Sequence, residues 1–86
     1  MARGTVTVLL FGPARETAGT GRLVVDVPDP GLAARALVDE LARRYPKLAR
    51  TLAVSRLVRN GRYLSRLTER VRPGDEVAVH PPYGGG

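Results

Sequence analysis

The sequence predicts an α+β fold in which one main helix packs across one face of a mixed sheet. Segments rich in β-branched residues flank a central segment where leucines recur at helical spacing. An Asn60-Gly61 pair separates two short strand-like segments, which is typical of a β-hairpin. A chain of 86 residues is long enough for one domain with one modest core.

Two strands are predicted in the first third of the chain. Residues 5–11 are β-branched and apolar on both alternating faces, so this strand should lie centrally in the sheet. Gly12-Pro13 ends it. Residues 22–27 carry an apolar side chain at every second position, which predicts a strand with one face toward the core.

The main helix is predicted between residues 29 and 45. Asp29 is a good N-cap residue, and Pro30 suits the first helical position, where no backbone donor is needed. Pro46 should end the helix. The apolar stripe of this segment recurs at four-residue spacing: Leu37, Leu41 and Tyr45.

The last part of the chain predicts further strands. Residues 55–59 and 62–64 flank the Asn60-Gly61 turn, and residues 76–80 follow a second turn at Pro73-Gly74-Asp75. The resulting order is β-β-α-β-β-β. One helix packed across one face of a mixed sheet buries these stripes economically, which is a ubiquitin-like β-grasp arrangement.

Composition excludes several kinds of site. The chain has no cysteine, which rules out disulfides, thiol nucleophiles and cysteine-ligated zinc. It has one histidine, His80, so we expect no metal site. No apolar run is long enough to cross a membrane, and the first residues do not resemble a signal peptide. We therefore expect a cytoplasmic protein without a membrane partner.

The net charge of +6 is unevenly distributed. Residues 43–72 hold ten basic residues and one acid, Glu69. Such an asymmetry favours a basic surface that meets an acidic protein or a polyanion, although solvated arginines are the simpler explanation. No aromatic platform or helix-turn-helix pattern accompanies the arginines, which argues against nucleic acid as the partner.

The motifs along the chain resemble one known family. They are Leu9-Leu10-Phe11 leading into Arg15-Glu16, Asn60-Gly61 in the hairpin, and the closing run PGDEVAVHPPYGGG at residues 73–86. In these features the whole chain is similar to sulfur-carrier proteins of the MoaD/ThiS family. It is most similar to members that form the small subunit of molybdopterin synthase. It departs from their pattern at His80, usually a large apolar or aromatic residue, and at the spacers Tyr83 and Gly84.

The resemblance implies a sulfur carrier that is not catalytic alone. A ubiquitin-activating-like adenylyltransferase would adenylate the Gly86 carboxylate with ATP. A sulfur donor such as a cysteine desulfurase or rhodanese would then give a thiocarboxylate. In a complex with the molybdopterin synthase large subunit, the sulfur would pass to a pterin precursor of the molybdenum cofactor. The chain has no Walker A motif, so we expect ATP to bind the partner and no cofactor to bind this chain.

The last residues suit that chemistry. An α-carboxylate, with a pKa of about 3.3–3.7, is an anion and a poor electrophile at neutral pH, so attaching sulfur requires activation. We expect a β-grasp domain over residues 1–82 and a flexible glycine tail over residues 83–86. Gly84 and Gly85 lack a Cβ and suit passage through a narrow channel. Four extended residues span about 13–14 Å, which lets Gly86 enter a partner's active site.

A partner-binding surface is predicted beside the tail. Leu9, Phe11 and His80 would share the sheet face away from the helix if the first and last strands are neighbours. An exposed apolar patch there is typical of a docking site, unless loops cover it. Arg15 matches a family position and is a further candidate, or else a solvated arginine. The remaining candidates lead from this surface into the tail: Pro81, Pro82 and Tyr83.

Alternatives from other functional classes stay open. The same tail would serve a sulfur carrier for thiamin thiazole, cysteine or another metabolite. It would also serve a ubiquitin-like protein modifier that forms isopeptide bonds with lysines. A further possibility is a binding module whose basic face holds RNA, with the tail incidental.

Overall fold

The computed structural model of the protein describes residues 3–82, so the predicted tail at residues 83–86 lies outside it. The strands are β1 (Arg3–Leu10), β2 (Arg22–Pro28), β3 (Leu32–Ala33), β4 (Arg56–Arg59), β5 (Arg62–Tyr63), β6 (Arg70–Val71) and β7 (Glu76–His80). The helices are α1 (Gly12–Ala18), α2 (Ala34–Arg44) and α3 (Ala49–Val54), with a 3-10 turn at Pro46–Leu48.

The main sheet has the strand order β2-β1-β7-β4-β5. β1 runs antiparallel to β2 and parallel to β7, while β4 runs antiparallel to both β7 and β5. β3 and β6 form a separate two-stranded sheet. The first and last strands are therefore neighbours at the centre of a mixed sheet, and the predicted α+β, β-grasp fold is confirmed.

The core lies between α2 and one face of this sheet. Val8 of β1, Val79 of β7 and Leu37 and Leu41 of α2 are each at most 1 % exposed. Tyr45, the last member of the predicted stripe, is partly buried and packs against them. Fully burying such an aliphatic side chain contributes about 1.5–3 kcal/mol, so these contacts orient α2 on the sheet.

Residues 12–18, for which no helix or strand was predicted from the sequence, form helix α1. Gly12-Pro13 does end β1 as predicted, but the same proline occupies the first turn of the helix, where it removes no needed donor. Ala14 is fully buried. Gly19 ends the helix at a φ of 76°, and its N–H donates to the carbonyl of Arg15 at 2.9 Å.

The predicted start of the main helix at Asp29-Pro30 is wrong, because α2 begins at Ala34. Gly31 has a φ of 125°, which no helical residue adopts. Leu32–Ala33 then pair with Arg70–Val71 as β3 and β6. The intervening residues are therefore extended and cannot continue a helix from Pro30.

Backbone carbonyls, not the Asp29 carboxylate, cap the first turn of α2. The N–H of Ala34 donates to the carbonyl of Glu69 at 2.8 Å, and the N–H of Arg35 donates to the carbonyl of Leu67 at 2.9 Å. Two of the donors that a helix start leaves unpaired are thus satisfied by a distant loop. A local capping pattern in the sequence carries no information about such a partner.

The predicted Asn60-Gly61 hairpin is confirmed. Asn60 and Gly61 have φ values of 51° and 87°, as a tight two-residue turn requires. The Asn60 side chain also fixes the turn to the start of β7. Its Nδ2 donates to Asp75 Oδ1 at 2.9 Å, and its Oδ1 accepts from the N–H of Glu76 at 2.9 Å.

The loop between β5 and β6 is organised by one carboxylate. Oε2 of Glu69 accepts hydrogen bonds from the N–H of Ser65 at 2.7 Å and the N–H of Arg66 at 3.0 Å. Both bonds hold the pKa of the Glu69 carboxyl below its ordinary value, and the bond from Arg66 has the larger effect.

Acidic pH should loosen this loop. A carboxyl with a depressed folded pKa gives stability that is fully present above its unfolded pKa, about 4.3 for Glu. That contribution is lost as the pH falls through the lower, folded value. We expect the free energy of unfolding, measured by urea titration along a descending pH series, to fall more in the native chain than in Glu69→Gln. An equal fall in both would contradict this role of Glu69.

Candidate functional site

The pairing of β1 with β7 decides which residues face away from α2. Val8 lies beside Val77, and both are fully buried against the core. Because side chains alternate along a strand, Leu9 and its neighbour Ala78 point to the opposite side. The strand registers place further residues on this opposite side, which we call the outer sheet face. Its residues include Thr7, Leu9, Val24, Val58, Tyr63, Ala78 and His80.

Side chains with aromatic rings converge where β7 ends. The rings of Phe11 and His80 are 5.7 Å apart and nearly perpendicular, and the rings of Tyr63 and His80 are 6.0 Å apart in the same edge-to-face manner. The Arg56 guanidinium lies 4.0 Å from the centre of the Tyr63 ring. Edge-to-face pairs and cation–π contacts are favourable, so these side chains hold each other in place. We call Phe11, Arg56, Tyr63 and His80 the aromatic cluster.

The outer sheet face is open among the described residues. Phe11 is 47 % exposed and Tyr63 is 52 % exposed, and Val24 at the far edge is 52 % exposed. Leu9 and Val58 are half-buried between them. An exposed patch of adjoining aliphatic and aromatic side chains is typical of a surface that binds another protein.

The structure brings together some of the predicted binding residues. Leu9, Phe11 and His80 lie on one side of the sheet, as predicted. Pro81 and Pro82 follow His80 directly, the first half-buried and the second exposed. The remaining predicted positions of the site lie outside the described residues: Tyr83, Gly84, Gly85 and Gly86.

Arg15 is placed differently from the other predicted residues. It is exposed on α1, and a Cβ on Gly21 would lie 3.3 Å from its Nε, so its side chain extends over the Gly21 backbone. The backbone N–H of Arg15 donates to the carbonyl of Phe11 at 3.4 Å, but within residues 3–82 its side chain makes no hydrogen bond or cation–π contact with the aromatic cluster. A role for Arg15 in binding stays a prediction, at the margin of the site.

Tyr63 and Arg56 were not predicted as members of the site. The signal for Tyr63 was present, because a two-residue turn at Asn60-Gly61 pairs Val58 with Tyr63. That register places Tyr63 on the same side as Val58 and, through β7, as His80. Arg56 lies opposite His80 in the same ladder.

Neither a metal-binding cluster nor a membrane-spanning helix is found among the described residues. Between residues 3 and 82, no group of three or more His, Cys, Asp or Glu side chains is placed to hold a metal ion. In the same range no helix has the length and apolar character needed to span a bilayer. His80 is held between two rings, which suits a binding contact.

Known proteins are similar to this chain in both sequence and architecture. The profile described as "ThiS family" matches residues 8–86. The molybdopterin synthase sulfur carrier subunit of Drosophila ananassae is 41 % identical over 83 residues, covering 94 % of this chain and 90 % of the relative. That of Dictyostelium discoideum is 34 % identical over 80 residues, covering 92 % of this chain and 93 % of the relative.

The structural comparison adds a second kind of relative. The crystal structure of small archaeal modifier protein 1 from Haloferax volcanii superimposes with a TM-score of 0.79 at 29 % identity, covering 92 % of this chain and 98 % of that protein. The profile match extends over most of the chain and includes β7 and the terminal glycines. The chain therefore belongs to the ThiS family.

Proposed function

We propose that this chain is a cytoplasmic sulfur carrier of molybdenum cofactor biosynthesis, with Gly86 as the residue that carries the sulfur. The observation that supports this most is the position of β7. It runs through the centre of the sheet and ends in the aromatic cluster, so the chain leaves the domain beside an exposed apolar surface. A partner bound on that surface would receive the tail directly. The names of the relatives support the pathway.

The proposed chemistry begins with activation of the carboxylate. An oxygen of the Gly86 carboxylate attacks the α-phosphorus of ATP on an adenylyltransferase, and pyrophosphate leaves. The persulfide sulfur of a donor protein then attacks the acyl carbon, and AMP leaves. A second thiol of the donor cleaves the resulting acyl disulfide, which leaves a thiocarboxylate on Gly86 and a disulfide on the donor. In this scheme the chain is a substrate, and ATP binds to the partner.

The outer sheet face is the proposed docking surface for these partners. Its centre is aliphatic at Leu9 and Ala78, and its margin beside the tail is the aromatic cluster. Interfaces concentrate binding energy in a few side chains, among which aromatic residues and arginine are enriched. We propose that the adenylyltransferase and the large subunit of molybdopterin synthase use this same face in turn, since each needs access to the same tail.

Replacing Phe11 should weaken docking without unfolding the domain. Phe11 is about half exposed, so Phe11→Asp should alter the surface more than the core. We expect the dissociation constant for the large subunit to rise about 30-fold, as for loss of an aromatic anchor of about 2 kcal/mol. Calorimetry or surface plasmon resonance with the purified large subunit measures it.

Val54→Asp is the matched control for that substitution. Val54 is 60 % exposed, ends α3 and lies outside the outer sheet face. The same aspartate there should leave the affinity within about twofold of native. Equal effects of the two substitutions would argue against docking on the outer sheet face.

Mass spectrometry tests the carrier role itself. The full-length chain, co-expressed with the activating enzyme and a sulfur donor, should gain about 16 Da, the difference between sulfur and oxygen. The modified chain mixed with the large subunit should then convert a pterin precursor to a dithiolene product while returning to its original mass. If the chain gains this mass but transfers sulfur only to a thiazole or cysteine precursor, it belongs to another biosynthetic pathway.

A second candidate function is protein modification. The similarity to small archaeal modifier protein 1 favours it, because that protein is a modifier by name and shares this fold. The same adenylated Gly86 would then be attacked by a lysine amine, and AMP would leave. Denaturing electrophoresis after co-expression with the activating enzyme separates the two roles, since only a modifier produces stable adducts of higher mass.

A further inference from the structure

A groove lies on the helix side of the domain, away from the outer sheet face. It has a volume of about 680 Å³ and runs between α2, α3, the start of β4 and residues 64–67. Its floor consists of aliphatic side chains. Leu52 and Leu57 are buried core residues, 5 % and 4 % exposed, whereas Val38, Ala42, Leu64 and Leu67 are half-buried.

Hydrogen bonds fix the loop that forms one wall of this groove. The N–H of Leu64 donates to the carbonyl of Leu57 on β4 at 2.8 Å, and the carbonyl of Leu67 accepts from the N–H of Arg35 on α2 at 2.9 Å. The Glu69 carboxylate ties the loop together between these two points. The wall is thus anchored to a strand and to a helix, so the groove does not have to be ordered when a ligand binds.

The rim of the groove is basic. Arg35 and Arg66 line it with Asp39 as the one carboxylate, while Arg56, at the edge that the groove shares with the outer sheet face, lies against the Tyr63 ring. The side chains of Arg35 and Arg66 are exposed, and neither makes a hydrogen bond or ion pair within residues 3–82. By contrast, Arg43 and Arg44 further along α2 both bind Glu40. The charge at the rim is therefore free to bind an acidic ligand.

We propose that this groove binds an acidic, amphipathic segment of a partner protein. Aliphatic side chains of that segment would cover the floor, and its carboxylates would pair with Arg35 and Arg66. Guanidinium groups bind carboxylates through paired hydrogen bonds, which supplies specificity beyond the burial of apolar surface. Of the ten basic residues at positions 43–72, Arg56 and Arg66 line this groove, and Arg35 adds a further charge from α2.

The groove fits a protein segment better than RNA. Proteins bind single-stranded RNA by stacking bases on aromatic side chains beside a basic track. The floor is aliphatic, and the Tyr63 ring faces His80 on the other side of the sheet. A floor of leucine and valine suits aliphatic side chains better than nucleic-acid bases. The groove therefore favours an acidic protein segment over RNA.

This second surface is independent of the carrier role. It lies on the helix side, so a segment bound there leaves the outer sheet face accessible. One partner could therefore hold the chain while another acts on Gly86. The proposal needs neither the adenylate nor the thiocarboxylate, and its test uses the unmodified chain.

Random-peptide display against the full-length chain tests the proposal. Selected peptides should combine Asp or Glu with Leu, Ile or Val, and synthetic versions should shift the amide resonances of residues 35–42 and 52–67 in NMR titrations. Arg35→Glu and Arg66→Glu should each weaken binding about tenfold, and binding should weaken as salt is raised. Arg50→Glu makes the same charge change on α3 without lining the groove, and it should have less than a twofold effect.

Several outcomes would overturn it. Selected peptides without an acidic bias, or peptides that shift only residues of the outer sheet face, would show that the groove is not the preferred site. A polyuridine RNA that shifts the groove amides and is weakened by the same substitutions would assign the groove to nucleic acid. Circular dichroism of each variant confirms folding before binding is measured.

Discussion

Deleting Gly86 should abolish sulfur loading while leaving the stability of the domain unchanged. The deletion moves the terminal carboxylate back by one residue, about 3.3–3.6 Å, which is enough to remove it from an active site built for a fixed reach. We expect the mass gain that marks the thiocarboxylate to disappear and pterin conversion to fall to background. The melting temperature should match that of the native chain, because the deletion removes none of the buried core residues, which run from Val6 to Val79.

Two control proteins separate the reacting group from the length of the tail. A semisynthetic chain that ends in an amide keeps every residue and loses only the acidic group, so it should also fail to load. Gly84→Ala keeps the length and the carboxylate, and it should load more slowly but completely if Gly84 serves as a spacer. Full sulfur transfer by the Gly86 deletion would exclude the carrier mechanism.

The five strands of the main sheet were predictable because their signals are local, whereas β3 and β6 were not predicted. Alternation of apolar residues located β2 and β7, and the positive-φ turn at Asn60-Gly61 fixed the β4–β5 register. The central position of β1 followed from its two apolar faces. One face packs against α2, and the other belongs to the outer sheet face, where Thr7 and Leu9 are half-buried.

The helix boundaries were less predictable because distant residues determine them. Asp29-Pro30 has the local pattern of a helix start, yet the pairing of β3 with β6 keeps the following residues extended. The true start at Ala34 is capped by carbonyls from the loop before β6. A tertiary contact thus overrides a local preference of about 1 kcal/mol.

The residues of the candidate site were likewise predictable only where the signal is local. Leu9 and Phe11 were recognised because they alternate with core residues in the predicted first strand, although β1 itself ends at Leu10, and His80 because it ends β7. The contact of Tyr63 with His80, and of Arg56 with Tyr63, depends on strand order across the sheet. The sequence alone does not give that order. Basic residues near the aliphatic groove likewise come together only when α2 packs beside residues 64–67.

The turn that displaces the start of α2 leads to the prediction with the largest effect on stability. Gly31 is buried with a φ of 125°, and a Cβ there would collide with the carbonyl oxygen of Val71 and lie 3.1 Å from Cγ of Arg72. Gly31→Ala should therefore push β3 away from β6. Backbone strain and the collision together should cost about 3 kcal/mol, lowering the melting temperature by more than about 10 °C.

Gly74→Ala separates the effect of the steric collision at Gly31 from that of backbone strain at a positive φ. Gly74 has a φ of 91° but no atom within 4 Å of a Cβ, so alanine there meets the conformational penalty alone. We expect a cost of about 1–2 kcal/mol for that variant. Urea denaturation of both variants measures the difference. Equal costs would mean that β3 and β6 accommodate the methyl group, and that the close packing of Gly31 on Val71 does not decide where α2 begins.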